Sequence, residues 1–157
     1  MRSHLFALSL ILLGSACTKN TETITSYVTN ETNGSHHHIA VYFYDRLHPG
    51  QKKLAYALAP GDKHTQQHPA GKSYTSDPGF DTTSPDSILV IFDRVYPIMH
   101  YNNNTSSPNQ PYYPRSSTRN LWNDESYVVA ITREKGNFQR VVRSYTFTDH
   151  DYTDAKR

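Results

Sequence analysis

Nine histidines stand in this chain of 157 residues, and two short clusters of them could do chemistry. His36-His37-His38 opens a β-prone run, and His64 and His68 lie four residues apart. Side chains alternate faces along a strand, so His36 and His38 would share one face. They could grip a divalent metal there, with His64, His68 or a carboxylate completing the set. The spacing matches no zinc motif, and the plainer reading is solvated histidines that bind nothing. The serines include no Gly-x-Ser-x-Gly elbow. Asp149 and Asp151 follow Thr148 and read as acids in the first turn of a helix, not as an acid/base pair. No catalytic residue and no cofactor is therefore expected. Tyr112, Tyr113 and Trp122 form a third group. They lie among Asn and Gln residues, and together these could stack on a sugar ring while the amides bond its hydroxyls. A loop packed on its own domain has the same composition, and packing is the preferred reading, above all for Trp122.

These groups need a scaffold, and the segment Asp86-Ser-Ile-Leu-Val-Ile-Phe-Asp93 is its natural centre. Five apolar residues in a row are too few for a typical helix and suit a strand. Ile88, Val90 and Phe92 point one way, Leu89 and Ile91 the other. A half-exposed strand would alternate, so this one is expected to be central and covered on both faces.

Further strands are expected over Thr25–Asn30, His37–Arg46, Lys53–Ala59, Lys63–Gln67 (short, at an edge), Val95–Tyr101, Ser126–Arg133 and Phe138–Thr148. Asn33-Gly34, Pro49-Gly50, Pro60-Gly61 and Lys135-Gly136-Asn137 supply turns, and Asn33-Gly34 is a strong hairpin signal. Residues 62–85 and 102–123 are long connections rich in Pro, Ser, Thr and Asn. The second carries enough aromatic area to pack, and it is expected to lie across the central strand. The sum is an all-β chain: an immunoglobulin-like β-sandwich of about seven antiparallel strands with long loops.

The net charge of +2 gives no footprint for nucleic acid. Leu5–Leu13 is an apolar stretch too short to span a bilayer as a helix, and small residues follow it. That is the pattern of a secretory signal over residues 1–16. The single cysteine, Cys17, comes next, so no intramolecular disulfide can form.

Leu13-Gly14-Ser15-Ala16-Cys17 resembles the lipobox of bacterial lipoproteins, although Gly14 stands where Leu is usual. The resemblance implies cleavage before Cys17, a lipid on its thiol, a tether over residues 17–23 and a single domain over 24–157. The chain as a whole is similar to the small, uncharacterised β-rich lipoproteins of Bacteroidota-type bacteria. The features that carry this are the Cys17 leader, the Leu58-Ala-Pro-Gly61 turn, Asp86-Ser87 before the apolar strand and the closing Tyr145–Tyr152 segment. The likeness implies attachment to the outer membrane, which Thr18 after the cysteine favours, since an inner-membrane retention signal would place Asp there. Long polar-aromatic loops on a small scaffold without a catalytic constellation point to a non-enzymatic module with a protein or glycan partner. The alternative is an envelope protein that binds metal through its histidines. Asp81-Thr82-Thr83 and Asp86-Ser87-Ile88 match a short O-glycosylation pattern of such bacteria, and the first is the expected acceptor because it lies in a loop.

Overall fold

The computed structural model describes residues 23–44, 51–71, 87–103, 109–133 and 136–157. These hold strands β1 (Ile24–Asn33), β2 (Ile39–Tyr44), β3 (Lys52–Leu58), β4 (Lys63–Gly71), β5 (Ser87–Phe92), β6 (Tyr96–Tyr101), β7 (Tyr112–Tyr113), β8 (Val128–Arg133) and β9 (Phe138–Phe147). One helix, α1 (Asp149–Ala155), follows. One sheet has the order β4-β1-β9-β8, the other β3-β2-β5-β6-β7. A buried cluster joins Val41, Ile88, Val90 and Phe92 of the second sheet to Tyr145 and Phe147 of the first.

The all-β expectation holds, but the arrangement is not purely antiparallel. β1 and β9 run parallel in register, from Ile24 opposite Phe138 to Asn33 opposite Phe147. β7 also pairs parallel to β6. A parallel pair needs a long crossover, and everything between β1 and β9 serves as one.

The central strand is where the sequence put it. β5 is the third of five strands, and Ile88, Val90 and Phe92 are fully buried. Leu89 on the opposite face pairs with Met99, and each is only 5 % exposed. Leu121 and Trp122, from the long connection, belong to the same buried cluster as Ile88 and Val90, so that connection contributes to the core between the sheets. The β5–β6 hairpin closes through Asp93 and Arg94, with φ of 50° and 63°, and Val95 N–H donates to Phe92 C=O at 3.0 Å.

Asn33-Gly34 does not make a hairpin, because β1 and β2 lie in different sheets. The pair carries the chain across the sandwich. Asn33 Nδ2 donates to His37 C=O at 2.7 Å and to Leu58 C=O at 3.2 Å. Its Oδ1 accepts from Ser35 N–H and from Ser35 Oγ–H. Gly34 N–H donates to Phe147 C=O. A Cβ at Gly34 would stand 2.8 Å from Thr146 Cγ2 and 3.2 Å from Phe147 O, so glycine is required by close approach of another strand.

Candidate functional site

The most developed site is built by the second half of the long connection and the last turn of the chain. Residues 109–113 lie along β6, where Met99 N–H donates to Pro111 C=O at 3.0 Å and β7 pairs with Met99 and His100. Asn109, Gln110, Pro111, Tyr112 and Tyr113 line a cavity of about 490 Å³, closed by Ile98, Asp154 and Arg157. Tyr112 meets the Tyr101 ring edge-on, with centroids 6.0 Å apart, and remains partly exposed. Tyr113 is buried and forms the inner wall.

A buried ionic network fixes this wall. Arg119 straddles Asp151: Nε donates to Oδ1 at 2.8 Å and an Nη donates to Oδ2. Asp151 is 2 % exposed, and its Oδ2 also accepts the backbone N–H of Thr148, the residue that caps α1. The helix-start acids read from the sequence are therefore real, and Asp151 additionally holds the loop. The Tyr113 hydroxyl sits 3.0 Å from Asp151 Oδ1 and 2.8 Å from Asp154 Oδ2, sharing its one proton between two carboxylates. Burial and those carboxylates raise its pKa, so it stays a donor. Burial lowers the Arg119 pKa, but the bonds to Asp151 outweigh this and the net shift is upward. The cation is permanent.

Farther back, His100 is 1 % exposed and its Nδ1 accepts Leu121 N–H at 3.0 Å. Burial, and then the Arg119 charge, pull its pKa down to about 3. It is a neutral acceptor that pins the loop to β6. Asn120 spans the same gap, donating from Nδ2 to Tyr101 C=O and to Tyr113 C=O.

The histidines named from the sequence are dispersed. β2 starts at Ile39, so His36 and His38 lie in the sheet crossing and share no strand face. His36 Nδ1 sits 2.7 Å from Asp149 Oδ2, and His36 N–H donates to the same carboxylate. His37 Nδ1 sits 2.6 Å from Asp93 Oδ2, its ring stacks on Tyr152, and His38 N–H donates to Asp93 Oδ1. These bonds hold the Asp93 and Asp149 carboxyls below the usual range. His64 stacks on Tyr56 with centroids 4.1 Å apart, and His68 lies opposite Tyr27 on β4. Among the described residues, no three His, Cys, Asp or Glu side chains stand close enough to hold a metal.

Of the aromatic candidates, Tyr112 and Tyr113 reach the cavity, whereas Trp122 is 2 % exposed in the core. Ser87 is 7 % exposed inside β5, so it is closed to glycosylation as folded. Cys17 and Asp81-Thr82-Thr83 lie outside the described residues.

Sequence reasoning missed Arg119, Asp154, Arg157 and Glu31. Alternation along β1 could have flagged Glu31, because it places the carboxyl on the face of Tyr27 and Thr29. Glu31 is 2 % exposed, and its Oε1 has no hydrogen-bond partner. Burial pushes its pKa up to about 7, and the Tyr56 hydroxyl, close by but without a well-formed bond, pulls only partly back. Among the described residues no helix is long and apolar enough to cross a membrane. Comparisons with protein-family models, curated proteins and solved structures found no match for this chain.

Proposed function

We propose that this protein is a non-enzymatic, glycan-binding module of a bacterial cell envelope, anchored in the outer membrane by a lipid on Cys17. The observation that carries the binding reading is the cavity at Tyr112. Its lining brings together a partly exposed aromatic ring, the amides of Asn109 and Gln110, and the charged groups of Asp154 and Arg157. A sugar presents an apolar C–H face to a ring and hydroxyls that both donate and accept. An amide offers both functions, a carboxylate accepts and a guanidinium donates. A concave site with aromatic area and a few fixed polar groups suits such a ligand. Bonds from Asp151 and Asp154 hold Tyr113 in place before a ligand arrives, so little ordering cost falls on binding.

The anchor rests on the resemblance of residues 13–17 to a lipobox. The immunoglobulin-like description belongs to this proposal too, in the broad sense of two sheets that share one core. Screening on an array of bacterial and host oligosaccharides tests the binding reading. The unaltered chain should retain a defined set of glycans and Tyr112→Ala should lose them. Intact-mass analysis tests the anchor: the native protein should carry acyl chains, and Cys17→Ser should not. An empty array, or retention by Tyr112→Ala, contradicts the binding reading.

A further inference from the structure

β8 is an edge strand, hydrogen-bonded to β9 on one side only among the described residues. All six of its residues are exposed, including Val128 at 76 %, Val129 at 51 % and Ile131 at 62 %. An open edge invites another strand, and proteins blunt theirs with charge, proline, bulges or brevity. The other edges here follow that rule. β3 opens with Lys52 and Lys53 and meets β2 across a bulge. β4 carries Lys63, His64, His68 and Pro69 and has a bulge of its own. β7 has two residues. From Val128 to Thr132, β8 has no charge, no proline and no glycine, and three of those five residues are exposed Val or Ile.

We infer that β8 is a homodimer interface, pairing antiparallel with β8 of a second copy. The sequence of the strand argues for a second copy over another partner, because it is self-complementary about Ala130. With the two-fold axis there, Val129 faces Ile131 of the partner subunit, and the reciprocal pair repeats it on the same face. Val128 faces Thr132 of the partner subunit, so β-branched side chains meet at every flanking position. The only charge of the strand, Arg133, falls at opposite ends of the pair, and no like charges meet. Such an isologous contact closes on itself. It fuses two four-stranded sheets into one of order β4-β1-β9-β8-β8-β9-β1-β4. One strand pair without a broad packed face fits a weak dimer, with Kd on the order of 10–100 µM.

Sedimentation velocity on the full-length chain in mild detergent tests this, together with cysteine cross-linking. The chain should shift from monomer to dimer with concentration and form nothing larger. Ile131→Lys should hold it monomeric with an unchanged Tm, because the side chain is exposed. Ala130→Cys should cross-link under mild oxidation, since opposed Cα atoms in an antiparallel pair fall within disulfide reach. Val128→Cys and the unaltered chain should cross-link far less. A chain monomeric up to about 1 mM, a dimer indifferent to Ile131→Lys, or equal cross-linking at 128 and 130 overturns the inference.

Discussion

Arg119 Nε donates to Asp151 Oδ1 at 2.8 Å, and through this pair the long connection is locked to the final helix. The Tyr145 hydroxyl donates to Arg119 C=O at 2.9 Å, and the guanidinium lies 4.9 Å from the centroid of the Tyr145 ring. The same carboxylate that caps α1 thus fixes the cavity wall at Tyr113. Removing one partner of a fully buried pair costs roughly 3–5 kcal/mol, and water reaching the 29 % exposed Arg119 side chain reduces that cost here. Asp151→Asn should lower stability by about 2–3 kcal/mol in a urea titration. It should also make the Tyr113 hydroxyl more mobile, as read from ring relaxation by NMR. A loss under about 1 kcal/mol would show that the pair is not the anchor.

Glu31 sets an alkaline limit. Its pKa is raised from 4.5 to about 7 in the folded state. The folded chain therefore holds this proton more tightly than the unfolded one. The resulting stabilisation is complete below pH 4.5 and is lost as pH rises through 7. The difference amounts to roughly 3 kcal/mol. Glu31→Gln, which cannot ionise, should match the parent near pH 5 and exceed it at pH 8. Equal Tm differences at the two pH values would refute the assignment.

His100 sets an acid limit of opposite sign. Its pKa falls from 6.5 to about 3 on folding, so its contribution is complete above pH 6.5 and is lost as pH falls towards 3. Between pH 4.5 and 6.5 the Glu31 and His100 slopes oppose each other. His100→Asn keeps an acceptor for Leu121 N–H and cannot take up a proton in this range. It should be less stable at pH 7 yet lose less on acidification, as followed by chemical denaturation from pH 7 to 4. An acid slope unchanged by the substitution would show that His100 does not limit acid stability.

Trp122 tests the packing of the connection. It is the largest of the fully buried side chains, in one cluster with Leu121, Ile88 and Val90. Trp122→Ala should cost about 3–5 kcal/mol. A surface loop would tolerate the change with almost no loss, so a cost under about 0.5 kcal/mol would contradict the packing.

Local chemistry was legible in the sequence, and distant pairing was not. The Ile88–Phe92 run reads as a doubly covered strand because burial on both faces leaves a mark in five consecutive apolar residues. The Trp122 assignment follows from size and apolarity alone. Asn33-Gly34 misleads because its hairpin signal is local. What decides the conformation is the approach of Thr146 and Phe147, more than a hundred positions away. The parallel register of β1 with β9 is hidden for the same reason. The histidines read more plainly as solvated than as a metal set, and the sequence does not show the pairing of His36 with Asp149 or of His37 with Asp93. Of the cavity, the sequence offered Tyr112 and Tyr113. Asp151 and Asp154, which hold Tyr113, come from the terminal helix, Arg119 comes from the long connection, and only the fold joins them.

The binding reading rests on the exposed face of Tyr112. The decisive measurement is an NMR titration of the chain, with tyrosine rings labelled, against a glycan retained on the array. The Tyr112 ring resonances and the Asn109 and Gln110 side-chain amides should shift together and saturate with one Kd, while the Tyr56 ring stays still. Shifts confined to Tyr56 and other sites remote from the cavity, or none at saturating glycan, would contradict it.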